Sequence, residues 1–112
     1  MLKIDEEDNI YLTRGDTAIL RVIITDASGE PYYMQPDDRL IFTVRKLADI
    51  GSPLIDKTVA GNVITISTDD TKDLTFGKYK FDIYLYNSNT HKLDTFIAEK
   101  IFELGEEVHN FE

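Results

Sequence analysis

The sequence predicts an all-β protein, an antiparallel sandwich of about seven strands joined by Greek-key connections. Apolar residues recur at every second position, not at helical spacing. Clusters of Gly, Pro, Asn, Asp and Ser interrupt the chain at short, regular intervals, and no long amphipathic helix occurs. The 112 residues suit one such domain, and a hydrophobic content of 42% is enough for a core.

Taken in order, a short strand at 9–13 is followed by the turn Arg14-Gly15-Asp16 and a strand at 16–25. That strand places Ala18, Leu20, Val22 and Ile24 on one face. Ser28-Gly29-Glu30-Pro31 ends it, and residues 26–39 are expected to cross from one sheet to the other. Residues 40–47 group Leu40, Phe42 and Val44. Gly51-Ser52-Pro53 opens a strand near 54–59, and Ala60-Gly61-Asn62 reads as a tight hairpin into 62–68. Residues 69–77 fit one helical turn capped by Asp69 or Asp70. A strand at 78–86 and one at 92–104 are joined by the hairpin Asn87-Ser88-Asn89-Thr90. The domain is therefore expected over 9–104, flanked by an acidic N-terminal segment, 1–8, and an acidic C-terminal tail, 105–112.

The strand at 78–86 has the clearest register. Tyr79, Phe81, Ile83 and Leu85 share one face; Lys78, Lys80, Asp82, Tyr84 and Tyr86 share the other. Burying each apolar side chain contributes roughly 1.5–3 kcal/mol. The opposite register would bury two lysines and an aspartate, at several kcal/mol per unpaired charge. Gly77 starts this strand and Tyr79 points inward at its second position. In immunoglobulin-like sandwiches this is the place of the tyrosine corner, whose hydroxyl bonds a backbone group upstream. Phe81 stands where antibody domains keep a cysteine, so apolar packing replaces a disulfide. The alternative is an ordinary inward tyrosine. The fold expected is immunoglobulin-like.

The formal charge is −9, from 21 acidic and 12 basic residues. Such a surface repels phosphate backbones and anionic membranes, and Arg45-Lys46 is the only adjacent basic pair, so neither nucleic acid nor membrane is an expected partner. There is no cysteine, which rules out disulfides and thiolate chemistry. Acidic Asp5-Glu6-Glu7-Asp8 argues against a signal peptide, and the apolar runs are far shorter than the ~20 residues of a membrane span.

Catalytic machinery is not apparent. The two histidines are His91, in a hairpin loop, and His109, near the chain end. No nucleophile elbow, phosphate loop or dinucleotide fingerprint occurs. The carboxylates fall in loops, ends and outward positions, with Asp82 directed to solvent. Asp5-Glu6-Glu7-Asp8 and Asp69-Asp70 with Asp73 do not match a calcium loop. No enzyme, cofactor or metal is expected. Arg14-Gly15-Asp16 spells an integrin-recognition tripeptide, but glycine for an unusual backbone angle and Asp16 for a turn hydrogen bond account for it. Gly15, Asp16, Gly77, Tyr79 and Phe81 are thus structural residues.

What remains is surface. Ile19 and Ile23 alternate with core residues and should face outward. Tyr84 and Tyr86 lie on an outer strand face, and Tyr32 and Tyr33 in the crossover. These six residues form the candidate interaction surface, since tyrosine offers large contact area at low entropy cost. The alternative is that loops cover them or that they are simply exposed.

The run Tyr11-Leu12-Thr13-Arg14-Gly15-Asp16-Thr17, then Asp26-Ala27-Ser28-Gly29-Glu30-Pro31-Tyr32, the segment from Asp70 to Ile83, and Asp94-Thr95-Phe96 resemble small Ig-like β-sandwich domains of Gram-positive phage and prophage tail proteins. Among these, the baseplate upper protein N-terminal domain is the nearest in pattern. The resemblance spans about residues 10 to 104 and rests on turn and core motifs. It implies a non-catalytic structural or assembly protein of a phage tail or baseplate, present in the virion or in the bacterial cytoplasm before assembly. Its partners would be copies of itself, as a homo-oligomer, or other tail proteins. The competing expectation is a carbohydrate- or cell-surface-binding module that stacks sugars on Tyr32, Tyr33, Tyr84 and Tyr86.

Overall fold

A computed structural model describes residues 1–48 and 51–106. His109 and most of the expected acidic tail lie outside the described residues. The protein is all-β, with eight strands and one helical turn among the described residues. The strands are β1 (Leu2–Ile4), β2 (Ile10–Thr13), β3 (Ala18–Arg21), β4 (Asp38–Lys46), β5 (Ile55–Val59), β6 (Val63–Ile66), β7 (Gly77–Asn87) and β8 (Lys92–Gly105). The helical turn α1 is Thr68–Thr71. One sheet has the order β1-β2-β8-β7-β4-β5; β3 and β6 pair alone in a second.

Alternation decides which face is inside. Leu40, Phe42 and Val44 on β4 pair with Leu85, Ile83 and Phe81 on β7. All but Leu85 are buried. Ala18 and Leu20 on β3 pair with Ile66 and Ile64 on β6, supplying the other half of the core. Phe42 is central: its ring lies 5.7 Å from that of Phe81 and 6.4 Å from that of Phe102. Lys80 and Asp82 stay on the outer face, as their parity requires, and pair with Glu99 and Arg45 there.

Several expectations need correction. The large sheet is mixed, because β2 runs parallel to β8, pairing Ile10 with Phe102 and Thr13 with Gly105. Strands far apart in the chain can pair in either sense, and turn chemistry is silent about them. Residues 60–62 form no hairpin. The turn carries the chain between layers, because β5 stays beside β4 and β6 joins β3. The inward residues explain it: Ile55 matches Val44 across β4–β5, whereas Ile64 matches Leu20 in the other layer. The helical turn begins at Ser67, not at an aspartate; Asp70 accepts from the Ser67 backbone N–H at 2.8 Å and from its hydroxyl at 3.1 Å. Residues 2–4, expected as a polar end, form β1 against β2.

Two glycines stand in backbone that side chains resist: Gly15, in the turn after β2, has φ 89°, and Gly77, at the start of β7, φ 134°. Gly15 is also held by α1, its N–H donating to Thr71 Oγ1 at 2.9 Å and its carbonyl accepting from Thr68 Oγ1 at 2.7 Å. The turn between layers is thereby fixed to the helical turn. Asp16 closes it through its backbone N–H to Thr13 O, 3.1 Å, while its carboxylate receives the Met1 amine. The integrin-like tripeptide is thus a turn in this fold.

Tyr79 makes the expected corner contact: its hydroxyl donates to Thr75 O at 2.7 Å, four residues upstream. Tyr79→Phe keeps the ring and removes that bond. It should lower the unfolding free energy by about 1 kcal/mol, measured by urea denaturation.

Candidate functional site

Among the described residues the sandwich has four sheet edges, and they differ in chemistry. β5 carries Asp56, Lys57 and Thr58, and Lys57 spans toward α1 in a 2.8 Å ion pair with Asp70. Charge and that bridge guard this side. β1 presents Lys3 at the opposite end of the large sheet.

β3 is different. It stops at Arg21, short of the expected residue 25, but the alternation runs on past it: Ala18, Leu20, Val22 and Ile24 are buried, while Ile19 and Ile23 are 61% and 79% exposed. The Val22 N–H donates to Asn62 O at 2.8 Å, so the pairs on this parity exchange hydrogen bonds with β6. By alternation, the amide groups of Ile19, Arg21 and Ile23 point to the side of β3 that no described strand pairs. An unpaired edge with apolar side chains is a template for another strand.

A groove runs along this edge. Its first part, about 340 Å³, is walled by Leu20–Ile23 on one side and by Ile4, Ile10, Phe96 and Ile97 on the other, over Phe81 and Ile83. Its second part, about 590 Å³, continues between Ile24–Ala27 and the start of β8, over Leu85 and Asn87. Phe96 belongs to both parts, so they lie end to end. β8 can line the groove because β2 pairs only with Phe102–Gly105, leaving the earlier part of β8 as a second open edge. A bulge at Glu99, φ 49°, separates the two parts of β8.

Asp38 sets the geometry at the far end. Its side chain is only 2% exposed. Oδ2 accepts from Tyr32 Oη at 2.5 Å and from the Gln35 N–H at 2.8 Å; Oδ1 accepts from Asn87 Nδ2 at 2.8 Å. Asn87 in turn holds the β7–β8 hairpin, its Oδ1 accepting from the N–H groups of Asn89 and Thr90. One carboxylate therefore ties the crossover, β4 and the hairpin together. Burial opposes its ionisation, but the hydrogen bonds from Tyr32, Gln35 and Asn87 outweigh burial and hold its pKa below the ordinary 3.8. The same bond to Asp38, aided by burial, raises the Tyr32 phenol above its usual range. Sequence reasoning missed Asp38, placing it in the crossover. The signal was present: it has the parity of Leu40, Phe42 and Val44, one step before them.

The candidate interaction residues do not converge on one surface. Ile19 and Ile23 face outward from β3 as expected. Tyr32 packs against the core and is tied to Asp38, while Tyr33 stands 76% exposed in the crossover. Tyr84 and Tyr86 lie on the outer face of the large sheet. Tyr84 donates to Asp82 at 2.9 Å, and Tyr86 lies 3.0 Å from His91 Nδ1. Asp82 is not bare to solvent there; it also accepts from Thr43 Oγ1 at 2.9 Å. The four tyrosines are thus divided between the two sides of the large sheet and form no single stacking platform.

The suspected cation ligands have structural uses. Asp5 closes its own turn, accepting from the Glu7 and Asn9 N–H groups at 2.9 Å each. Asp70 serves α1 and Lys57, and Asp69 pairs with Lys72. What fold and site define together is an all-β, two-layer domain whose β3 edge is open and apolar among the described residues. No protein-family model, curated protein or solved structure matches the chain.

Proposed function

We propose that this protein is a non-catalytic assembly module that works through protein–protein contacts, with β3 as its contact edge. The observation that carries the reading is the combination, along β3 and the residues just after it, of amide groups that no described strand pairs, exposed Ile19 and Ile23, and an apolar groove beside them. Edges of this kind are otherwise blunted by charge, proline or covering elements. Strand addition uses backbone hydrogen bonds for affinity and side-chain pockets for specificity.

An immunoglobulin-like assignment fits this picture. β3 and β6 take the places of strands B and E, and β5, β4, β7 and β8 those of C′, C, F and G. The Tyr79 hydroxyl bond at the start of β7 supports the same assignment. In that scheme a strand A would lie beside β3, where the groove is. The phage or prophage tail setting belongs to the same proposal and is carried by the resemblance of the turn and core motifs.

The test is association. Ile19→Lys together with Ile23→Lys places two charges on exposed positions, so stability should change by only about 0.5 kcal/mol per site. Light scattering across a concentration series, and recovery of tail proteins from the cognate phage lysate, should show association for the native chain and its loss in the double variant. A native chain that stays monomeric and recovers no tail protein would sink the proposal.

A further inference from the structure

We propose that the groove along β3 accepts an extended segment of another protein that is apolar at alternate positions and carries lysine or arginine at the end that meets Asp26 and Asp94. This rests on the assembly reading and names the chemistry of the partner. The groove wall runs from Leu20 to Ala27, which leaves room for an extended segment of several residues. The floor, Phe81, Ile83 and Leu85, lies along β7, so an added strand would direct every second side chain onto apolar surface. The amide groups of Ile19, Arg21 and Ile23 supply its backbone partners.

Charge selects the occupant. Asp8 lies at one end of the groove, in the acidic turn Asp5-Glu6-Glu7-Asp8, and Asp26 and Asp94 lie at the other. The bases are Arg21 in the first part and Lys92 in the second, and Lys92 is 3.8 Å from Asp94. Asp38 and Asp26 each accept three hydrogen bonds from the protein, and both still add negative charge to this end. The second end of the groove is therefore acidic, while at the first end Arg21 balances Asp8. A second copy of the chain brings a further −9, and its acidic ends match the groove poorly. A segment with a basic end is attracted to the acidic end while its apolar part is buried.

The experiment uses the full chain and two fluorescent peptides of about ten residues, each alternating valine and threonine, one flanked by lysines and the other by glutamates. Fluorescence polarisation at low salt should show the lysine peptide binding about tenfold tighter, with the difference shrinking at high salt. N-methylation of its backbone at alternate residues should abolish binding. Asp94→Lys, at an exposed position, should cut the lysine preference about threefold with the circular dichroism unchanged. Equal binding of both peptides, no binding of either, or indifference to N-methylation overturns the proposal. So does competition of the peptide with a concentration-dependent dimer, which makes the occupant a second copy, or binding only after removal of residues 107–112. A chain that recovers tail proteins through Ile19 and Ile23 yet ignores the lysine peptide loses this inference alone; loss of both associations removes the assembly reading as well.

Discussion

Phe42→Ala should lower the unfolding free energy by about 3–5 kcal/mol, seen as a fall in the urea midpoint without change of slope. The ring is fully buried between Phe81 and Phe102 and beneath the second sheet. Its removal loses the transfer free energy of the ring and leaves a cavity that β-strands, fixed by their ladders, cannot close. Only two strands roof this part of the core, so little surrounding mass is available to relax. Domains of this size are stable by about 5–15 kcal/mol, so the variant should be marginal at physiological temperature. Phe42→Leu, which keeps most of the volume, should recover more than half of the loss. An alanine variant within 1 kcal/mol of the native chain would mean that Phe42 does not organise the core.

Asp38→Asn should cost about 3 kcal/mol, with little change in the shape of the side chain. An amide has one acceptor and one donor end, whereas Asp38 receives donors at both oxygens. Whichever way the amide turns, an N–H faces either Asn87 Nδ2 or the Gln35 N–H. The pH dependence follows from the depressed pKa. The unfolded carboxyl titrates near 3.8 and the folded one below it, so the unfolded state binds the proton first. The stabilisation is complete above the unfolded value and is lost as pH falls through the folded one. Native stability should therefore drop between about pH 5 and pH 3, and Asp38→Asn should show a shallower drop over the same range. Asp5, Asp26 and Asp70 also titrate low, the first two through hydrogen bonds in their own turns and the last through Lys57 and Ser67 against burial, so both proteins retain some acid sensitivity. Parallel curves would show that Asp38 is not ionised by its network. The β7–β8 hairpin should loosen in the variant, read as faster amide exchange at Asn89 and Thr90, whose acceptor Asn87 loses its anchor.

The alternation along β7 was legible up to Ile83, while Leu85, expected on the buried face, is half-buried. Tyr79, Phe81 and Ile83 are buried and Lys80 and Asp82 are not, because a shift of one residue would have exchanged greasy for charged side chains. The outward direction of Ile19 and Ile23 followed from the same parity. Position 38 shows the limit. Its parity was inward, yet an aspartate next to a turn reads as solvent-facing until its three donors are known to converge from residues 32, 35 and 87. Nothing local announces such a meeting. The groove was illegible for a related reason: it exists because β3 has no second neighbour among the described residues and because β2 covers only the last residues of β8.

Side-chain period, turn residues and charge are properties of neighbours in the chain, and they were enough to determine an all-β protein, the inner face of each main strand and the acidic surface. Which strands lie beside one another is a property of the assembled layers. The same Ala60-Gly61-Asn62 turn suits a hairpin or a corner, and only the fit of Ile55 beside Val44 and of Ile64 beside Leu20 made it a corner. The parallel meeting of β2 with β8, the carboxylate at Asp38 and the open edge of β3 are all consequences of that layering. They arise from contacts between residues distant in sequence, whose free energy no local pattern records.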